Sequence, residues 1–179
     1  MVKTIHSPFT VLIDTKETTP WDFGNIPGPG GNTEIIVPVL YQGLGNGMGD
    51  YTIAGLTSSD TTWQMSIERK SIGDLFGTIL ARRERFVVEL ENLNDMAYAA
   101  VIVEAPLEKV ITHYPQYWTD MEMTPDQQLS KQKQVIGSIR SWSMRYPRVD
   151  WWFISREFCP IWAYRLMDKF WTDYSYGVR

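Results

Sequence analysis

The residues best placed to do chemistry are Glu68-Arg69-Lys70, which follow Gly49-Asp50 with seventeen residues between Asp50 and Glu68. An acid and a lysine two positions apart can hold a divalent cation beside an ammonium that reaches an attacked phosphate, the division of labour in metal-dependent phosphodiester hydrolysis. Two further acids, Asp14 and Glu17, follow the apolar run Val11-Leu12-Ile13. Asp14, Glu17, Asp50 and Glu68 are all oxygen donors with no histidine or cysteine close beside them, so the metal they imply is hard: magnesium (Mg2+), or manganese (Mn2+) in its place.

Such chemistry needs elements that aim these side chains. Residues 63–70 alternate, with Trp63, Met65 and Ile67 on one face and Gln64, Ser66, Glu68 and Lys70 on the other. Glu68 and Lys70 therefore point the same way, about 7 Å apart along a strand. Arg69 falls among the core-side positions, as a structural anchor or as a metal donor through its backbone carbonyl. An edge strand with a solvated polar face would alternate in the same way, so the reading depends on the other acids. Val11–Ile13 reads as a strand ending at Asp14, and residues 49–53 as a second strand with its acid at the start. The polar residues 57–62 join that strand to the Glu68 strand as in a hairpin, which brings Asp50 and Glu68 onto neighbouring strands. After them, Ser71-x-x-Asp74 opens a stretch in which Ile72, Leu75, Phe76, Ile79 and Leu80 recur at helical spacing. Asp74 is a capping acid, a member of the site, or both, because a helix starting there also turns free N–H groups toward a bound phosphate.

The order Ile13-Asp14-x-Lys16-Glu17, Gly49-Asp50-Tyr51, Ile67-Glu68-Arg69-Lys70-Ser71-Ile72-x-Asp74-Leu75 and Val101-Ile102-Val103-Glu104 resembles the nuclease domain of the XPF family of structure-specific endonucleases. The resemblance covers nearly the whole chain and implies an α/β, restriction-endonuclease-like (PD-(D/E)xK) fold. It implies Asp50 and Glu68 as principal metal ligands, Lys70 as the group that positions or activates water, and Asp14, Glu17 and Asp74 as supporting acids. The family often has arginine where this chain has Lys16, which keeps the charge but loses a fork able to grip phosphate through two bonds. The resemblance also implies DNA as partner, branched in flaps or forks, and a homodimer through the aromatic-rich C-terminal strand and helix. Cellular members carry a helix-hairpin-helix module after the nuclease domain. Its absence here leads us to expect a stand-alone form of the phage or prophage kind.

Elsewhere the pattern stays α/β. Residues 83–96 read as a helix, Tyr98–Val103 as a buried strand, 106–125 as irregular, 129–144 as a helix, 149–154 as another buried strand and 161–171 as a closing helix. This alternation predicts a central mixed sheet flanked by helices. The glycine-rich residues 24–32 and 43–49 read as loops. The second superficially resembles a phosphate cradle, but it opens a strand rather than a helix, so we take it as a turn. His113 reads as a surface or loop-packing residue.

With 179 residues, 44% hydrophobic and 21% charged, the chain is expected to form one domain over residues 1–179, and disorder or a coiled coil is excluded as a whole-chain reading. No apolar run approaches the roughly twenty residues of a membrane span and no signal-peptide core is present, so an intracellular location is expected. Cys159, the single cysteine, cannot form an internal disulfide. A net charge of −4 and a pI near 5.2 are not the footprint of a tight general nucleic-acid binder. Locally, Arg69, Lys70, Arg82, Arg83 and Arg85 cluster, with Arg83 and Arg85 either contacting phosphate, together with Lys16, or forming a solvated helix face. Twelve of the twenty-four aromatic residues lie between Trp142 and Tyr176, which suits core packing or a subunit interface. The function expected is a magnesium-dependent DNA endonuclease. A non-catalytic DNA-binding scaffold on the same fold is the second reading, and an enzyme acting on RNA or plain duplex the third.

Overall fold

A computed structural model describes residues 2–56 and 64–177. In chain order its elements are β1 (Lys3–His6), β2 (Val11–Ile13), β3 (Ile26–Pro27), β4 (Thr33–Ile36), β5 (Val39–Tyr41), β6 (Tyr51–Ile53), β7 (Met65–Lys70), α1 (Ile72–Ala81), α2 (Arg83–Asn94), β8 (Tyr98–Val103), α3 (Leu107–Ile111), α4 (Gln116–Asp120), α5 (Pro125–Arg145), β9 (Val149–Phe153) and α6 (Cys159–Ser175). Six strands form a mixed sheet in the order β5-β2-β6-β7-β8-β9. Its first half turns back on itself, β2 against β6 and β6 against β7, whereas β7, β8 and β9 run parallel. At the other edge β5 runs parallel to β2. Parallel neighbours need crossovers: α1–α2 and α3–α5 supply two, and residues 14–38, which carry β3 and β4, supply the third.

Helices cover both faces. On one, α6 and the small sheet β1-β4-β3 pack on Val11, Ile13, Tyr51, Ile53, Met65 and Ile67. On the other, α1, α2 and α5 close over Val101, Val103 and Val149 with Leu75, Phe76, Phe86, Leu90 and Trp142. Strand β7 therefore lies inside the sheet with both faces covered, and the edge-strand alternative for Glu68 and Lys70 is overturned. Their polar face is buried under α1 and α2 because Ser66, Glu68 and Lys70 alternate with Met65 and Ile67 across a two-sided core. Trp63 and the polar connection 57–62 lie outside the described residues.

Helix starts follow local chemistry. The Ser71 hydroxyl accepts from the Asp74 amide at 3.1 Å to cap α1, and Thr124 and Gln127 form a reciprocal capping box before Pro125 at the start of α5. Residues 106–125, expected to be irregular, hold the short helices α3 and α4, each entered from a proline, Pro106 and Pro115. Residues 24–32 are not a simple loop. They include β3 and a turn to β4 in which Gly30 and Gly31 take φ of +79° and +73°. Strands of two to four residues are too short for alternation to reveal. The strand expected at 149–154 ends at Phe153 and is half-buried at the sheet edge rather than buried throughout. His113 packs edge-on against Phe76 with ring centroids 4.9 Å apart. Among the described residues no helix is long and apolar enough to cross a membrane.

Candidate active site

Asp50 stands one residue before β6, where the backbone is held on both sides. Its N–H donates to the Ile67 carbonyl at 2.9 Å and its carbonyl accepts from the Asp14 amide at 2.8 Å. Past this point β6 and β7 diverge, and the Asp50 carboxylate fills the gap by accepting from the Arg69 amide at 2.7 Å. A residue's N–H and C=O point to the same side of a strand, so the Arg69 carbonyl also faces this gap. Gly49 permits the approach. It has φ of +74°, and an added Cβ would overlap the Ser66 hydroxyl and lie 3.0 Å from the Ile67 carbonyl oxygen. Gly49→Ala is expected to cost about 1–3 kcal/mol in urea unfolding and to displace Asp50. Unchanged stability would show that the backbone relaxes freely there.

Glu68 and Lys70 complete the centre. Their side chains form an ion pair on the covered face of β7, with the Lys70 ammonium 3.5 Å from Asp74 Oδ2 and 4.8 Å above the centre of the Phe86 ring. Asp50, Glu68 and Lys70 meet in a cleft of about 200 Å³ whose walls include Asp14, Asp74, Phe86, Glu89 and the glycine-rich backbone at 45–49. The stretch 43–49, taken from sequence as a turn, is thus partly a wall of the site.

Burial dominates the electrostatics. It pushes the Asp50 carboxyl up to about 7, against the Arg69 N–H and the Lys70 charge that favour ionisation. Burial likewise raises Glu68 well above the carboxylate range, with the nearby Asp50 charge adding to it and Lys70 opposing. Burial alone would lower Lys70, but Glu68 and Glu89 outweigh it and keep the ammonium charged. Four cations line the cleft, Lys16, Lys70, Arg82 and Arg85, against the five acids Asp14, Asp50, Glu68, Asp74 and Glu89, and of the four only Lys70 is buried among the carboxylates.

Glu89 escaped the sequence reading. It lies on α2 three residues after the buried Phe86 and lines the cleft with Glu68, whose carboxyl it helps to push up. The signal was an acid bordering the apolar stripe Phe86, Leu90, Leu93. Two acids lining one small cleft favour a shared proton or a cation between them.

The remaining expected residues divide between cleft and frame. Asp14 is buried at the cleft wall, with Oδ1 accepting from the Lys16 amide at 2.9 Å. Lys16 is at the rim, its Nζ 2.8 Å from Asn46 Oδ1. Asp74 pairs with Arg82, and Arg85 stands exposed at the rim. Arg83 is turned elsewhere: its guanidinium lies 4.6 Å from the centre of the Trp142 ring and donates to the Ser138 hydroxyl at 2.5 Å, fastening α2 to α5. Glu17 is drawn to Arg69 at 3.2 Å, and the same guanidinium grips both oxygens of Glu104 at 2.8 and 2.9 Å. Glu104 in turn accepts from the Trp21 indole at 2.8 Å, and Trp21 stacks on Tyr51 at 4.5 Å. The Arg69 side chain is therefore an anchor behind the site, and it ties the chain after β2 to the ends of β7 and β8.

Among the described residues, no three acid, histidine or cysteine side chains sit close enough to form a ready metal cage. The donors that fit are fewer: the Asp50 and Glu68 carboxylates and the Arg69 carbonyl, with Asp14 at the wall. Magnesium is commonly held by one or two carboxylates, its other positions going to water and substrate phosphate. Oxygen donors short of positive charge suit such a cation.

No protein-family model matches the sequence, and no curated protein matches it. Among solved structures, the chain is similar to XPF from Aeropyrum pernix in complex with DNA, with a TM-score of 0.54 and 17% identity over 92% of this chain and 66% of that one. It is also similar to XPF from Aeropyrum pernix without DNA, with a TM-score of 0.52 and 16% identity over 88% of this chain. It spans 64% of that second chain, so both are longer than the length matched. The likeness shows the fold: a restriction-endonuclease-like mixed sheet flanked by helices, as in XPF nuclease domains.

Proposed function

We propose that the chain is a magnesium-dependent DNA endonuclease. The observation that carries this reading is the convergence of Asp50, Glu68 and Lys70 in one cleft at the point where β6 and β7 part. Asp50 and Glu68, with the Arg69 carbonyl and assistance from Asp14, would hold the cation. Bound magnesium would polarise the scissile phosphate and make water a better nucleophile. Lys70, kept charged by Glu68 and Glu89, donates to a phosphate oxygen or orients the attacking water, and neutralises charge that develops on phosphorus. Asp74 keeps that ammonium in the cleft from the first turn of α1, and Arg82 holds Asp74 in turn. The water oxygen joins phosphorus as the bond to the 3′ oxygen breaks, leaving a 5′ phosphate and a 3′ hydroxyl, by analogy with the fold.

The solved relative bound to DNA supports DNA as the polymer, and flaps or forks follow from the sequence resemblance. A panel of flap, fork, four-way junction, duplex, single-stranded DNA and RNA, each with magnesium, manganese or chelator, tests this. Cleavage of branched DNA that needs the metal is expected, and Lys70→Ala or Glu68→Ala should reduce it by at least about a hundredfold. Full residual cleavage in both variants would remove these residues from the site. DNA binding without cleavage of any substrate would favour the scaffold reading.

We also propose a homodimer through the C-terminal elements. Strand β9 is a sheet edge, and beside it Phe158 is 56% exposed and Trp162, in contact with Trp152, is 36% exposed. Light scattering at micromolar concentration should give twice the 20.7 kDa chain mass. A monomer mass would exclude it.

A further inference from the structure

The cleft is not closed at its α2 side. A groove of about 410 Å³ leaves it between the glycine-rich loop and α2, lined by Asn46, Gly47, Arg85, Val88, Glu89 and Asn92. Asn46, Gly47, Arg85 and Glu89 border the cleft as well. A polymer with one phosphate against Lys70 can therefore run on into the groove without leaving the surface.

The groove has the makings of a nucleotide seat. On α2, positions 85, 88, 89 and 92 fall at the i, i+3, i+4, i+7 spacing of one helix stripe, about 10 Å long at the usual rise. Val88 is 55% exposed, apolar surface that a sugar or base ring would cover. Arg85 supplies a fork for phosphate, and the amides of Asn46 and Asn92 can both donate and accept. The opposite wall stands close because residue 47 is glycine. Its φ is +69°, and an added Cβ would lie 2.6 Å from Asn92 Nδ2. The volume falls in the roughly 300–1,000 Å³ range of small-ligand sites. With one arginine against one glutamate, the groove draws little on bulk attraction, which accords with a chain of net charge −4. A second recess, lined by Lys16, Thr18, Ser71 and Arg82 among others, opens from the cleft and shares no residue with the first.

We propose that the groove between the glycine-rich loop and α2 seats the nucleotide adjoining the cleaved bond, so that a DNA strand passes through the cleft and lies along α2. This rests on the nuclease reading and adds where the substrate lies. The test is fluorescence anisotropy with a labelled flap DNA in calcium buffer, beside cleavage of the same DNA in magnesium. Val88→Glu puts an acid at an exposed helix position in the groove, and Leu107→Glu does the same at 45% exposure on α3 as a control for added charge. Val88→Glu should bind at least fivefold more weakly and raise KM more than it lowers kcat, with native melting, while Leu107→Glu binds as the parent does. Binding by Val88→Glu equal to the parent's, or equal weakening by both, overturns the groove. A parent chain that binds and never cleaves overturns the nuclease reading alone, since the anisotropy comparison still decides the groove. A parent that does not bind DNA overturns both.

Discussion

Asp50→Asn is expected to make the metal-free protein more stable at pH 8 while reducing magnesium-dependent cleavage by at least about a hundredfold. Both effects come from the same burial. The Asp50 carboxyl is ordinary at 3.8 in an unfolded chain and is raised to about 7 in the fold, chiefly by loss of water. A carboxyl raised on folding contributes stability that is fully present below about pH 4 and lost as pH climbs through 7. At pH 8 the ionised group is a cost, with a ceiling of about 4 kcal/mol at about 1.4 kcal/mol per pH unit. Asparagine keeps an oxygen for the Arg69 amide and carries no charge. The parent's thermal midpoint should therefore fall between pH 5 and pH 8, and that of Asp50→Asn should fall less. Saturating magnesium should recover stability in the parent at pH 8 and do little for the variant. Cleavage by the parent should decline as pH drops below 7, because a protonated Asp50 no longer attracts the cation. Equal melting profiles with and without the substitution would mean that Asp50 is not a buried charge.

Arg69→Met is expected to be the most destabilising single change at the site, by about 3–5 kcal/mol in urea unfolding, the range for leaving a buried charge without its partner. The Glu104 and Glu17 side chains are only 3% and 8% exposed, and Arg69 is the cation that meets both. Burial would raise the Glu104 carboxyl, but hydrogen bonds from Arg69 and Trp21 hold it below its ordinary 4.5. That depressed group contributes stability that is present above about pH 4.5 and lost as pH falls through its lowered value. In Arg69→Met this acid-side loss should shrink along with the stability itself, Trp21 and Arg156 remaining as partners of Glu104. In the proposed mechanism residue 69 serves through its backbone, the amide that donates to Asp50 and the carbonyl that faces the gap. Cleavage by the folded fraction at low temperature should therefore stay within about tenfold of the parent. Native stability with cleavage lost would place the guanidinium in the chemistry instead.

The local order of residues already held much of this. Alternation from Met65 to Lys70 put Glu68 and Lys70 on one face and Arg69 on the other, and period 2 alone determines that. The strands Val11–Ile13 and Tyr98–Val103 were legible as unbroken apolar runs and helices α1, α2, α5 and α6 by helical spacing, because both are properties of neighbouring residues. Less visible were β1, β3, β4 and β5, whose few residues form strands only against partners far along the chain, and α3 and α4, which begin at prolines easily taken for breaks.

What the sequence by itself determined is the set of groups: acids and a lysine of the right kinds, in an order that only certain strand pairings could bring together. Tertiary structure decided which of them share a space. Arg83 carries a plausible charge in a plausible place yet is turned to Trp142 and Ser138, whereas Glu17, though paired with Arg69, still lines a recess shared with Asp50, Glu68 and Lys70. Glu89, an ordinary helix acid to the eye, is brought against Glu68 by the packing of α2 over β7 and β8. Burial, too, is settled only in three dimensions. The same Glu-x-Lys on an edge strand would be solvated and inert, and here two covering layers of helix leave its carboxylates short of positive charge.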